Sequence, residues 1–178
     1  LDVNSLVALS CLVSALVLCS YLLVQGRLSE LKDALKARPW TLLFMGLLNP
    51  ILYYSVLLRA YDLLPAQQAQ TINYTWAITL SILAVPFLGQ RFSARDALMA
   101  AVGYFGVVVI ATEGQLSFGA IDSLTGLALA LLSTLLWAVF WLGNTRLELP
   151  GDVALAPMFL AGSPLALMGF VGSGVLGT

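Results

Sequence analysis

The residues of this chain best suited to binding chemistry lie close together between Pro65 and Gly89, in the stretch PAQQAQTINYTWAITLSILAVPFLG. Gln67, Gln70, Thr71, Asn73, Tyr74, Thr75 and Thr79 bring amide, hydroxyl and phenol groups into the run 66–88, which has no charged side chain. Such groups bind by hydrogen bonding and by their aromatic faces; they do not supply a nucleophile with its base. As one helix at ~1.5 Å per residue, the run reaches ~34 Å, enough to cross a ~30 Å hydrocarbon layer.

On a helical wheel Gln67, Gln70, Thr71, Tyr74, Ala77 and Ser81 fall within roughly 120°, with Asn73 bordering that arc. Ile72, Trp76 and Leu83 take the other side. Lipid offers no hydrogen bonds, so a polar stripe on a membrane helix must turn to other helices or to a water-filled cavity. One reading is interhelical glue, at ~0.6–2 kcal/mol per polar contact. The other is the wall of a solute path, and seven polar residues exceed what packing needs.

The elements that must hold this stripe are read from composition. The 178 residues are 60% hydrophobic and 10% charged, against about 25% charged in soluble domains. With a mean hydropathy of +0.96, the chain reads as an integral membrane protein whose first partner is the lipid bilayer. The net charge of −1 gives no support for a nucleic-acid partner. Histidine is absent, which excludes histidine metal sites and bases. Cys11 and Cys19, eight residues apart on one predicted helix, are ~12 Å apart along it and cannot bridge.

Six apolar segments are predicted as helices, at roughly 5–24, 41–58, 66–88, 97–112, 124–143 and 153–176. Alternating ~10-residue strands, as an outer-membrane barrel needs, are not seen. The expected fold is therefore all-α and polytopic. No basic region precedes the first apolar run, so a membrane helix is expected there rather than a signal peptide. The chain starts at Leu1 and stops at Thr178 inside an apolar run, and is expected to be a fragment of a longer polytopic protein.

Orientation follows from the basic residues. Arg27, Lys32, Lys36 and Arg38 follow segment one, Arg91 and Arg95 follow segment three, and Arg146 follows segment five. These loops, 25–40, 89–96 and 144–152, hold seven of the eight Lys and Arg and are expected to be cytoplasmic, with residue 1 outside. Arg59 alone lies on the other side, at a spacing suited to a weak surface pair with Asp62. The linker 25–40 reads as an amphipathic surface helix through Leu28, Leu31 and Leu35.

Other segments carry narrower signals. Segment one offers Ser10, Ser14 and Ser20 for helix contacts. In segment two Pro50 removes a backbone donor and predicts a kink, with Asn49 and Tyr53 on one face; this is either a hinge or tolerated bending. Segment four has Ala100, Gly103 and Gly106 for close helix approach. In segment five Gly126, Ala130, Ser133, Trp137, Phe140 and Asn144 share an arc of about 80°, with Trp141 at its border. Trp137 lies mid-span beside Ser133, which favours a pocket role over interfacial anchoring. Segment six is rich in Gly and Pro: Pro157, Gly162, Pro164, Gly169 and Gly172. No acid or base lies deep in any segment, and no GxxxxGK[ST] loop occurs, so neither a proton relay, an intramembrane hydrolase nor ATP hydrolysis is indicated.

The runs Asn49-Pro50-Ile51-Leu52-Tyr53-Tyr54, Pro65-Ala66, Asn73-Tyr74-Thr75-Trp76 and Leu88-Gly89-Gln90-Arg91-Phe92-Ser93, with Ala60 between the first two, resemble the EamA domain of the drug/metabolite transporter superfamily. The last run commonly reads LGERLS in that family; Gln90 replaces the Glu and Phe92 the Leu. The run from Gly126 to Trp137 resembles the opening helix of a second EamA repeat, and the Asn-Tyr-x-Trp element most resembles the bacterial aromatic amino acid exporters.

The resemblance implies an inner-membrane carrier of ten helices in two inverted five-helix repeats. Residues 1–115 would hold helices two to five, and 116–178 helices six and seven. Its central cavity would be lined by segments two, three and five. The resulting expectation is a secondary exporter of small neutral or zwitterionic metabolites, amino acids foremost. Asn49, Tyr53, Gln67, Gln70, Thr71, Asn73, Tyr74, Trp76, Ser133 and Trp137 are the candidate substrate-binding residues. On the wheel Trp76 lies about 160° from Tyr74, so its place needs a distorted helix or a reach around the cavity edge. A small-molecule substrate is the expected partner, no cofactor is implied, and the oligomeric state is open. The competing reading is a non-transporting membrane scaffold or sensor whose polar stripes only hold helices together. A membrane enzyme ranks third, and a small four-helix multidrug exporter is disfavoured because its deep Glu is missing.

Overall fold

The computed structural model describes residues 3–117 and 123–176, with side chains from Ser5 to Pro164. Every regular element among the described residues is helical. These are α1 (Val3–Val24), α2 (Leu28–Ala37), α3 (Pro39–Gly46), a π-helical stretch (Leu47–Leu52), α4 (Tyr53–Leu63), α5 (Ala66–Asn73), α6 (Trp76–Leu88), α7 (Ala94–Ala111), α8 (Leu124–Leu147) and α9 (Gly151–Leu176). Among the described residues, five stretches are long and apolar enough to cross a membrane: Ser5–Val24, Pro39–Leu63, Ala66–Leu88, Ala94–Ala111 and Leu124–Leu147. The sixth expected span falls in α9, where the side chains of Gly169 and Gly172 lie outside the described residues.

Packing divides the chain into two units, one within Leu1–Ser55 and Gly143–Thr178, the other within Val56–Leu142. In the first unit α9 packs against α1, α2, α3 and the π-helical stretch. The buried face of α1 is Ser5, Ala8, Cys11, Ala15 and Leu22, a mostly small-residue stripe at helical spacing. This corrects the expectation from the serines: Ser10 and Ser20 are exposed, and only Ser14 is half-buried. Both cysteines are free thiols.

The predicted kink is present. Asn49 leaves the helical region at φ −144, ψ 120, just before Pro50, and the ladder around it widens to π spacing. Asn49 and Tyr53 are both buried in this unit, and Tyr53 meets Tyr54 edge-on at 4.9 Å. The kink is held by backbone contact. A Cβ on Gly46 would stand 2.5 Å from the Met158 carbonyl oxygen of α9, so only glycine permits that approach.

The linker helix α2 is amphipathic as expected, but it buries Leu31 and Ala34 while Leu35 is exposed. Its N-terminal neighbour Arg27 donates to Glu30 at 2.8 Å and to Asp152 at 2.6 Å. Hydrogen bonding to Glu30, then to Asp152, raises the Arg27 guanidinium above its ordinary value. The same bond holds the Glu30 carboxyl below its own. Two of the basic loops, 25–40 and 144–152, are thus joined at one end of this unit.

The core of the second unit is Ala60, Leu64, Ala69, Ile72, Ala111 and Ala130, drawn from α4, α5, α7, α8 and the short link after α4 that holds Leu64. Small residues again set the spacing. A Cβ on Gly126 would lie 2.7 Å from Leu64 Cγ, and one on Gly103 2.7 Å from Ile78 Cδ1. Gly106, expected to pack likewise, has open space around it. Ser93 and Asp96 cap α7 reciprocally, and Ser123 caps α8 through the Gly126 N–H. Arg59 and Asp62 approach to 3.9 Å, a surface pair of little energetic weight.

Candidate functional site

The polar stretch 66–88 is two helices, not one. The Thr75 N–H bonds back to Ile72 at i−3, tightening the turn, and the Thr75 hydroxyl donates to the same Ile72 carbonyl. The Thr79 hydroxyl reaches the Thr75 carbonyl at 3.1 Å. Hydroxyls that compete for helix carbonyls bend or break helices, and here they separate α5 from α6 at Tyr74 and Thr75.

The break leaves two differently occupied faces. Gln68, Ala69, Ile72, Asn73, Thr75 and Thr79 are buried inside the unit. The stripe expected to meet other helices or a cavity lies on the other side. Gln67, Tyr74, Ala77 and Ser81 are exposed, Tyr74 to 63%, and Gln70 and Thr71 are half-buried. Thr71 donates to the Gln67 carbonyl and Ser81 to the Ala77 carbonyl, so neither hydroxyl requires a partner from another helix. Gln70 accepts a hydrogen bond from Tyr61 of α4.

The expected face of α8 forms as read: Gly126, Ala130, Ser133 and Phe140 are buried, and Trp137 and Asn144 half-buried. It meets α5 and α6 at two points. Asn73 Nδ2 donates to Ser133 Oγ at 2.9 Å, and that hydroxyl donates to the Ala130 carbonyl. One helical turn on, Trp76 stands edge-on to Trp137 at 6.2 Å between ring centres. Trp137 in turn meets Phe140 and Trp141 at about 6 Å. The wheel's separation of Trp76 from Tyr74 is therefore real, and Trp76 joins Trp137 because the Trp76 side faces inward.

Asn73, Trp76, Ser133 and Trp137 are thus brought together. Gln67, Thr71 and Tyr74 line the exposed face of the same helix pair, with Gln70 turned toward Tyr61. Asn49 and Tyr53 belong to the other unit. Sequence reading missed a hydroxyl chain, in which Thr79 Oγ1 shares hydrogen bonds with Tyr104 of α7 at 3.0 Å and Thr134 of α8 at 3.4 Å. Its one signal was a tyrosine in the middle of the otherwise apolar run AAVGYFGVV. Phe140 and Trp141 complete the aromatic cluster beyond the two tryptophans expected.

The groups brought together here are amides, hydroxyls and rings, and no charged side chain takes part among the described residues. A model of the EamA-like transporter family matches residues 1–112. No curated protein and no solved structure matches the chain. The match spans the apolar helices from α1 through α7, including the polar stretch with Asn73 and Trp76, and this chain belongs to the EamA-like transporter family.

Proposed function

We propose that the chain forms part of a secondary carrier that exports small neutral or zwitterionic metabolites, amino acids foremost, across the cytoplasmic membrane. The observation that carries this reading is the exposed polar face of α5 and α6. Gln67, Tyr74 and Ser81 stay exposed and Thr71 half-buried beside them, while Asn73, Thr75 and Thr79, on the same pair, are used in packing. A polar face at membrane depth belongs beside water, a polar solute or other helices, and seven polar residues exceed what packing needs. Tyr74 offers that solute an aromatic surface and Gln67 and Thr71 its hydrogen-bond partners, while the Trp76–Trp137 cluster stiffens the inward side of the same helix pair.

The family match ending at residue 112 supports a first EamA repeat within 1–115, with 116–178 opening a second. Alternating access would then be rocking of one repeat against the other. The Arg27–Asp152 pair supports placing loops 25–40 and 144–152 on one side, the cytoplasmic one by their basic residues.

The test is transport of a labelled amino-acid panel by the full-length protein in proteoliposomes. Tyr74→Ala and Trp137→Ala should each cut transport about fivefold or more, the equivalent of ~1 kcal/mol of lost stacking. Leu135→Ala, at an exposed apolar position of α8, should leave it nearly unchanged. A scaffold or sensor is the second reading, favoured by the bonds Asn73 and Thr79 make between helices. Three variants losing activity only in proportion to lost folded protein would favour it.

A further inference from the structure

We propose that the cleft between α6 and the start of α7 takes both charged ends of a zwitterionic α-amino acid, with Arg91 for the carboxylate and Asp96 for the ammonium. The site rests on the transport reading, of which it is the cytoplasmic loading step. It narrows the solute from neutral or zwitterionic to zwitterionic.

The cleft has a volume of about 440 Å³, within the usual range of small-molecule sites. Its α6 wall includes Ala77 and Ser81, which end the exposed polar face of α5 and α6. That face therefore runs into the cleft. Ile78 closes the inner end against α7, where a Cβ on Gly103 would lie 2.7 Å from its Cδ1. At the other end the loop supplies Gln90, Arg91 and Phe92.

That loop is tied at both ends. Gly89, left-handed at φ +67, turns the chain at the end of α6, with its N–H on Val85 and the Gln90 N–H on Ala84. Ser93 and Asp96 cap α7 on the far side. Only Arg91 and Phe92 lie between the two sets of bonds, so the backbone that carries the guanidinium is fixed.

The charges carry the argument. Arg27 and Arg59 have acidic partners in Glu30, Asp152 and Asp62, whereas Arg91 has none among the described residues. Asp96 lines the same cleft. Its Oδ2 accepts from the Ser93 N–H at 2.9 Å and from the Ser93 hydroxyl at 2.7 Å, which leaves Oδ1 for another donor. Opposite charges thus share one cleft without pairing with each other. A solute with one charge meets attraction from one group and repulsion from the other; a zwitterion satisfies both. A carboxylate fits the planar guanidinium fork, and the Ser81 oxygen, which donates to the Ala77 carbonyl, keeps its lone pairs for an ammonium. Phe92 and Met99 add apolar surface for the amino-acid side chain. A basic residue needed only to hold the loop in the cytoplasm could stand anywhere along it, as Arg95 does outside the cleft.

The experiment measures binding of three probes to the purified full-length protein by titration calorimetry, beside transport of labelled L-leucine in proteoliposomes. L-leucine carries both charges, L-leucinamide only the ammonium and 4-methylpentanoate only the carboxylate. L-leucine should bind at least fivefold more tightly than either. Arg91→Gln should weaken L-leucine about fivefold and leave L-leucinamide no weaker. Asp96→Asn, which keeps an acceptor for Ser93, should erase the preference for L-leucine over 4-methylpentanoate. Arg95→Gln removes the same charge as Arg91→Gln and should leave all three affinities unchanged. The three substituted positions are exposed, so the fold should survive each change. Equal binding of the three probes, no binding of L-leucine, equal losses in Arg91→Gln and Arg95→Gln, or an unchanged preference in Asp96→Asn overturns the site, even where L-leucine is transported. Binding that meets these expectations in a protein that carries no L-leucine would support the site and remove the carrier reading instead.

Discussion

The Asn73–Ser133 hydrogen bond shows what a single polar residue does in an apolar helix. Lipid tails are as apolar as leucine, so helices associate through small residues and interhelical hydrogen bonds. This bond fixes the register of α5 against α8 and thereby sets Trp76 against Trp137. In a double-mutant cycle of Asn73→Ala and Ser133→Ala, unfolding in detergent should show a coupling of ~0.6–1.7 kcal/mol. Coupling indistinguishable from zero would mean the tryptophans are registered by other contacts. Periodicity placed Ser133 and Trp137 together, because they share one face of an unbroken helix, whereas Trp76 was named through the family resemblance alone. It did not show which side of the polar stretch packs against the helices of its own unit. In a soluble protein the apolar side goes in; within a bilayer apolar character no longer separates interior from exterior, so the stripe could be seen and its direction could not.

At the scale of elements, backbone proximity governs where helices bend and meet. Nothing between Asn73 and Trp76 is glycine or proline, so the α5–α6 break had no conventional sequence mark and arises from threonine hydroxyls taking helix carbonyls. The Pro50 kink was legible, because a missing N–H must disturb the ladder. What the sequence could not give was its seat: Gly46 and Met158 are distant in the chain and touch through backbone. Gly46→Ala should therefore destabilise the purified protein by ~1–3 kcal/mol, since a backbone carbonyl cannot rotate away as a side chain can. Gly106→Ala in α7, with open space around it, should be neutral or gain up to ~1 kcal/mol of helix propensity. Thermal unfolding of both variants decides the matter, and equal melting temperatures would remove Gly46 from the account of the kink.

At the scale of the molecule, the question is which ends of the helices face the cytoplasm. The α7 helix has 18 residues, a rise of ~27 Å, so if it spans the bilayer Ser93 before it and Ser117 beyond it would lie at opposite membrane surfaces. Ser29 sits on α2 between Arg27 and Glu30, at the end where Arg27 holds Asp152. Seven of eight basic residues occur in the loops that contain Ser29, Ser93 and Asp152. Retention of such loops in the cytoplasm is the strongest determinant of orientation for short connections. Single cysteines introduced as Ser29→Cys and Ser93→Cys, with Cys11 and Cys19 replaced by alanine, should resist an impermeant thiol reagent in intact cells. Ser117→Cys should react. All three positions are exposed in the folded chain, so protection would report the membrane and not burial. Reaction at Ser29 and Ser93 with protection at Ser117 would invert the carrier.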